Sequence, residues 1–247
     1  MTVSHLPVPE IVQFADAGEV AEALAARLIS RLTELQVDGG TPQLCLTGGR
    51  IATRAYGRLA ADGPGSDVDW SRVDLWWGDE RFVAADDDDR NAGATLELLR
   101  GPLSLPAERI HEMPASDGEL VDLDAAAEAY ASELGPTTFD VCLLGLGPDG
   151  HIASLFPEHP SSTATGDVIA VRNSPKPPPD RISLTLAVIN RSAEVWFLVS
   201  GEDKAEAAAK ALSGAGPEPV PGALAHGVTR TVWLIDAAAA SLLPTGP

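Results

Sequence analysis

Apolar residues along the chain follow two rhythms. From Glu19 to Glu34 they recur at Val20, Ala23, Leu24, Leu28, Ile29 and Leu32, the spacing of one helix face, and Asp38-Gly39-Gly40 supplies a stop. Short apolar runs at Leu44 to Leu46, Val73 to Trp77, Val141 to Leu146, Val168 to Val171, Val195 to Val199 and Val232 to Ile235 read instead as strands. Between them Ala52 to Ala61, Asn91 to Leu99, Asp122 to Leu134 and Lys204 to Leu212 predict helices. Asn173 to Asp180 reads as a proline-rich loop containing Lys176, and Ser213 to Gly222 as a Gly/Pro loop. Ile182 to Ile189 is β-prone at its start and leaves open whether a helix follows. Strands alternating with helices across short turns predict an α/β fold, with a mainly parallel sheet covered by helices on both faces. No repeat and no long linker interrupt residues 1–247, so the expectation is one domain.

A hydrophobic fraction of 45% over 247 residues supplies an extensive core. No uninterrupted apolar span is long enough for a membrane, and Met1 to Gln13 lacks a basic stretch followed by an apolar one. Cys45 and Cys142 each lie inside an apolar strand run, which suits buried reduced thiols better than a disulfide or a metal site. The expectation is a soluble cytoplasmic protein with no membrane partner. Seventeen basic against thirty-six acidic residues give a net charge of -19, which repels nucleic acid as well as anionic membrane. An anionic substrate would therefore bind only at a local exception, where a few Arg or Lys converge with backbone N–H groups.

Three strand ends supply such chemistry: Thr47-Gly48-Gly49-Arg50, Gly78-Asp79-Glu80-Arg81 and Pro148-Asp149-Gly150-His151. In a parallel sheet these ends share one edge, the usual ligand position of open α/β folds. Gly48 and Gly49 let backbone amides approach an anion at a helix N-terminus, although a glycine pair by itself more often marks a plain tight turn. Arg81 offers a fork of donors for phosphate and equally an ion pair with the acidic run Asp86 to Asp89. That run lacks metal-ligand spacing and reads as a solvated loop. His151, in a glycine-rich turn beside Asp149, has the exposure and the neighbour that a base needs. Lys204 sets a cation against a helix dipole, a cost that a bound anion would reverse. Lys176 and Arg181, flanking the proline loop, rank below it.

These residues resemble the 6-phosphogluconolactonase family. The likeness rests on Leu46-Thr47-Gly48-Gly49, on Trp77 to Val83 with Asn91 beyond, on Leu143 to Pro157, on Lys176 to Thr185, and on Gly201-Glu202-Asp203-Lys204-Ala205. The resemblance implies an amino-sugar-phosphate isomerase type of fold, hydrolysis of 6-phospho-D-glucono-1,5-lactone and no required metal or organic cofactor. It also implies His151 as general base, with Asp149 orienting the imidazole or holding the turn. Phosphate would meet Gly48, Gly49, Arg81, Lys204 and Arg181, with Asp79, Glu80 and Arg50 secondary. The chain departs from the family pattern at three places. Arg50 and Ile51 stand where a small hydroxylated residue and a proline usually follow the glycines, Glu158 where a glycine is usual, and Arg90 where a serine is. The related glucosamine 6-phosphate deaminase branch typically carries a carboxylate five residues past the histidine, where this chain has Phe156. A non-catalytic sugar-phosphate sensor on the same fold is normally fused to a DNA-binding module, which this sequence lacks.

Overall fold

The computed structural model describes residues 7–214 and 219–244. The first half of the chain forms β1 (Glu10–Phe14), α1 (Ala17–Gln36), β2 (Gln43–Leu46), α2 (Arg50–Asp62), β3 (Asp74–Trp77), β4 (Asp79–Arg81), α3 (Asn91–Leu99) and α4 (Leu123–Leu134). The second half adds β5 (Val141–Gly145), β6 (Val168–Val171), β7 (Arg181–Leu184), α5 (Leu186–Ile189), β8 (Glu194–Val199), α6 (Ala205–Ser213), α7 (Pro221–Leu224) and β9 (Arg230–Asp236).

Local chemistry sets the helix starts. The Asp16 carboxylate accepts from the amides of Gly18 and Glu19, and Asp122 caps α4 through the Ala125 amide. The α1 stripe Val20, Leu24, Leu28 and Leu32 is buried against the sheet and α2. Six strands pair in the order β1-β9-β8-β5-β2-β3, all parallel. One core lies on the face covered by α1, α2 and α3, and another on the face covered by α4 and α6. The expected doubly covered parallel sheet is therefore observed. Cys45 and Cys142 sit opposite each other on β2 and β5, both buried and unbridged.

Three elements, β4, β1 and α7, depart from the pattern-based reading. Asp79-Glu80-Arg81 is not an irregular strand end but β4, which leaves the main sheet at Gly78 and pairs antiparallel with β7 in a second sheet ordered β4-β7-β6. Gly78 bridges the two sheets, its amide donating to the Leu46 carbonyl and its carbonyl accepting from the Leu184 amide, both at 2.9 Å. Ile182 to Ile189 resolves into β7 and then the single turn α5. Edge strand β1 and the short α7 were not anticipated, and part of the Ser213 to Gly222 loop lies outside the described residues. Among the described residues no helix is long and apolar enough to cross a membrane.

Candidate active site

The C-terminal ends of β2, β5 and β8 open, together with β4, onto one cavity of about 570 Å³. All three strand ends singled out in the sequence contribute to it, as do Ser200, Gly201 and Lys204 after β8. Convergence of distant segments follows from the parallel topology.

The turn after β2 is pinned from behind. The Tyr56 hydroxyl accepts from the Thr47 amide at 3.1 Å and donates to the Thr47 carbonyl at 2.9 Å. Gly48 has no room for a side chain, since a β-carbon would fall 1.8 Å from Asn91 Oδ1. Gly49, at φ +103°, ends the turn in a conformation that favours glycine and leads into α2. The first helical hydrogen bond here runs from the Thr53 amide to the Gly49 carbonyl. The amides of Gly48, Gly49 and Arg50 precede it at the positive end of the helix and have no hydrogen-bond partner among the described residues.

The turn after β5 presents the histidine. Gly150 takes φ +85°, and the Gly147 amide donates to the His151 carbonyl at 2.8 Å, which closes the loop tightly. His151 Nδ1 lies 2.5 Å from Asp149 Oδ1. Partial burial pushes the Asp149 carboxyl up, but the His151 hydrogen bond and the positive charges of His151 and Lys176 outweigh it and hold the group well below the usual carboxylate range. An ionised carboxylate only accepts, so His151 donates to it through Nδ1. Among the described residues Nε2 has no hydrogen-bond partner. Phe156 is fully buried beneath the imidazole, with ring centroids 4.7 Å apart.

Lys176, ranked low from sequence, reaches into this pair. Its Nζ lies 3.2 Å from His151 Nδ1 and 3.5 Å from Asp149 Oδ1. Burial pushes its ammonium below the ordinary lysine value, against the pull of Asp149. Arg181, expected at phosphate, lines the cavity and donates to the carbonyls of Lys176, Pro177 and Pro178, each at 3.1 Å. It thereby holds the proline loop that delivers Lys176, while its Nη1 lies 3.9 Å from Asp79 at the cavity wall.

On β4 the three charged residues have separate tasks. Glu80 is buried and accepts from the amides of Arg81, Asn91 and Ala92 at 2.7 to 2.8 Å, which caps α3. Burial raises its carboxyl, opposed by Arg90, itself buried 3.9 Å away. Asp79 accepts from the Ser154 hydroxyl at 2.7 Å, and its carbonyl accepts from Asn91 Nδ2 at 2.9 Å. Arg81 Nη1 donates to the backbone carbonyl of Asp89, not to the carboxylates of the exposed acidic run. Its Nε is buried without a partner. Lys204 closes the far side of the cavity, paired at 3.3 Å with its neighbour Asp203.

The cavity is thus lined by six cationic side chains and a single carboxylate, in a chain whose acids outnumber its bases twofold. This is the local exception that an anionic ligand requires. No hydroxyl or thiol among the described residues is hydrogen-bonded to Nε2.

An open parallel sheet with a cation-lined crevice at its C-terminal edge defines an α/β fold with its cavity in the usual ligand position, and the comparisons narrow it. The family model described as glucosamine-6-phosphate isomerases/6-phosphogluconolactonase matches residues 15–233. A 6-phosphogluconolactonase of Streptomyces coelicolor is 49% identical over 96% of this chain and 95% of its own. A crystal structure of 6-phosphogluconolactonase from Thermotoga maritima superposes with a TM-score of 0.82 at 26% identity, over 92% of this chain and 99% of that one. A monomeric glucosamine-6-phosphate deaminase shares the fold at a TM-score of 0.79 and 21% identity, over 94% of this chain and 99% of that one. The chain belongs to the glucosamine-6-phosphate isomerase/6-phosphogluconolactonase family.

Proposed function

We propose that the protein hydrolyses 6-phospho-D-glucono-1,5-lactone to 6-phospho-D-gluconate, the lactone-opening step of the oxidative pentose phosphate pathway, with His151 as general base. The observation that carries this reading is the His151–Asp149 pair, which leaves Nε2 free at a cation-lined crevice. Phosphate is anchored by the free amides of Gly48 and Gly49, by Arg81 and by Lys204. Anchoring there holds the lactone carbonyl near His151, converting attack into an oriented, effectively unimolecular step. Nε2 takes a proton from water as its oxygen bonds to C1. The imidazolium then returns that proton to the ring oxygen as the C1–O bond breaks, leaving a carboxylic acid that ionises. Asp149 stabilises the imidazolium through Nδ1. The ammonium of Lys176 sits beside the same pair, 3.2 Å from His151 Nδ1 and 3.5 Å from Asp149 Oδ1.

Deamination on the same fold would need the acid whose place five residues past His151 is taken by the buried Phe156. Two buried free thiols suit the reducing cytoplasm, where we place the activity, and we read the chain as one catalytic domain working without metal or organic cofactor. The test is acid release from freshly generated lactone at controlled pH, with the spontaneous rate subtracted and a chelator present. Acceleration by the purified protein, without ammonia release from glucosamine 6-phosphate, is expected. Comparable ammonia release, or no effect on either substrate, would overturn the assignment.

A further inference from the structure

Six cations are more than one phosphate needs, and they divide by what they already hold. Arg81, Arg181, Lys176 and Lys204 each have a protein partner. Arg50 and Arg54 have none among the described residues, although both line the cavity. They stand four positions apart on α2, one turn above the other on the same face. Both are exposed, so they occupy the mouth rather than the floor. Arg50 is also the first residue of α2, whose opening turn contains no acid. A cation there opposes the helix dipole. In the same helix Arg58 pairs with Asp62 four residues on, so leaving Arg50 and Arg54 unpaired is not a general property of its arginines.

We propose that Arg50 and Arg54 form an entry subsite for the phosphate dianion, a point of capture distinct from the anchor made by Gly48, Gly49, Arg81 and Lys204. The argument is electrostatic. A net charge of -19 repels a dianion at long range, and the approach becomes attractive only where unpaired positive charge projects into solvent. Lys176 and Lys204 each sit beside a carboxylate that partly offsets their charge, and Arg81 and Arg181 are half-buried and buried, so all four are felt at shorter distance. Arg50 and Arg54 extend the attraction outward, so they act on encounter and leave the chemical step alone. The requirement is for charge, not for the guanidinium fork, which separates them from an anchoring arginine.

This inference rests on the proposed lactone hydrolysis, and the experiment separates failure of one from failure of the other. The Arg50→Gln/Arg54→Gln double variant is compared with wild type on the phosphorylated lactone and on unphosphorylated gluconolactone, at about 0.01 M and about 1 M ionic strength, where screening lengths are roughly 30 and 3 Å. At low salt kcat/KM for the phosphorylated substrate should fall about tenfold with kcat unchanged, and the difference should close at high salt. Turnover of the unphosphorylated lactone should not change, and an Arg50→Lys/Arg54→Lys variant should behave as wild type. A salt-independent loss, a fall in kcat, or equal losses on both substrates would overturn the entry role. Calorimetric titration with 6-phosphogluconate gives a readout that needs no turnover. If wild type fails to hydrolyse the lactone, salt-dependent weakening of this anion in the double variant would still support the subsite, and unchanged binding would end it.

Discussion

The imidazole of His151 lies directly over the α-carbon of Gly147: a β-carbon added there would fall 1.8 Å from Nδ1, 2.0 Å from Cε1 and 2.6 Å from Asp149 Oδ1. The glycine is therefore required by close approach and not by its own backbone, which does not take a positive φ. Gly147→Ala is expected to fold, because the displaced groups are side chains at the edge of a cavity. It should push His151 and Asp149 off their mutual geometry and lower kcat about a hundredfold, the scale of a misplacement near 1 Å. Steady-state kinetics alongside a thermal melt checks this, and a wild-type kcat in the folded variant would contradict it.

Asp149 gives the site a definite pH signature. Its carboxyl is held below the usual range in the folded protein, so it contributes stability that is fully present above the unfolded value of about 3.9 and is lost as pH falls through the folded value. Urea midpoints of wild type and Asp149→Asn should differ by a steady amount from about pH 5 to pH 4, and the difference should shrink on further acidification. The group is partly exposed, so the gap is modest. Any acid limb of kcat/KM above about pH 5 belongs to another group. A stability gap that widens below pH 4 would contradict this account.

Glu158, standing where relatives of the resembled family usually have glycine, takes φ +58° in an exposed turn. A left-handed conformation costs a non-glycine residue about 1 kcal/mol, part of which glycine gives back as unfolded-chain entropy. Glu158→Gly should stabilise the protein by about 0.5 kcal/mol, raising Tm by about 1 to 2 °C at this chain length without changing kcat. A lower melting temperature would mean that the Glu158 side chain makes a contribution larger than the strain.

What could be read ahead of the structure was whatever periodicity or turn chemistry encodes. The long apolar runs of β5 and β8, the stripe of α1 and the glycine turn carrying His151 all fall where the pattern places them. Strand β4 did not, because Asp79-Glu80-Arg81 has no apolar position at all and becomes a strand only through pairing with β7. The roles of its side chains were hidden for the same reason: Glu80 reaches forward to cap α3, a contact between segments that the loop at residues 82–90 separates. The contacts of Lys176 and Arg181 are not legible in the sequence, because a proline loop has no period from which to infer direction. Its folding back onto the His151 turn depends on three carbonyls that Arg181 gathers. Arg54 had a usable signal, its four-residue spacing from Arg50 on a helix that begins at the glycine turn.

The most direct measurement of the central claim is the pairing of kcat with ligand affinity in His151→Asn. Asparagine keeps a polar side chain near Asp149 but cannot take the proton from water. Loss of a general base predicts kcat lower by about two orders of magnitude or more, with the dissociation constant of 6-phosphogluconate within about twofold of wild type. Near-normal kcat in the folded variant, after subtraction of the spontaneous rate, would remove His151 from the chemistry.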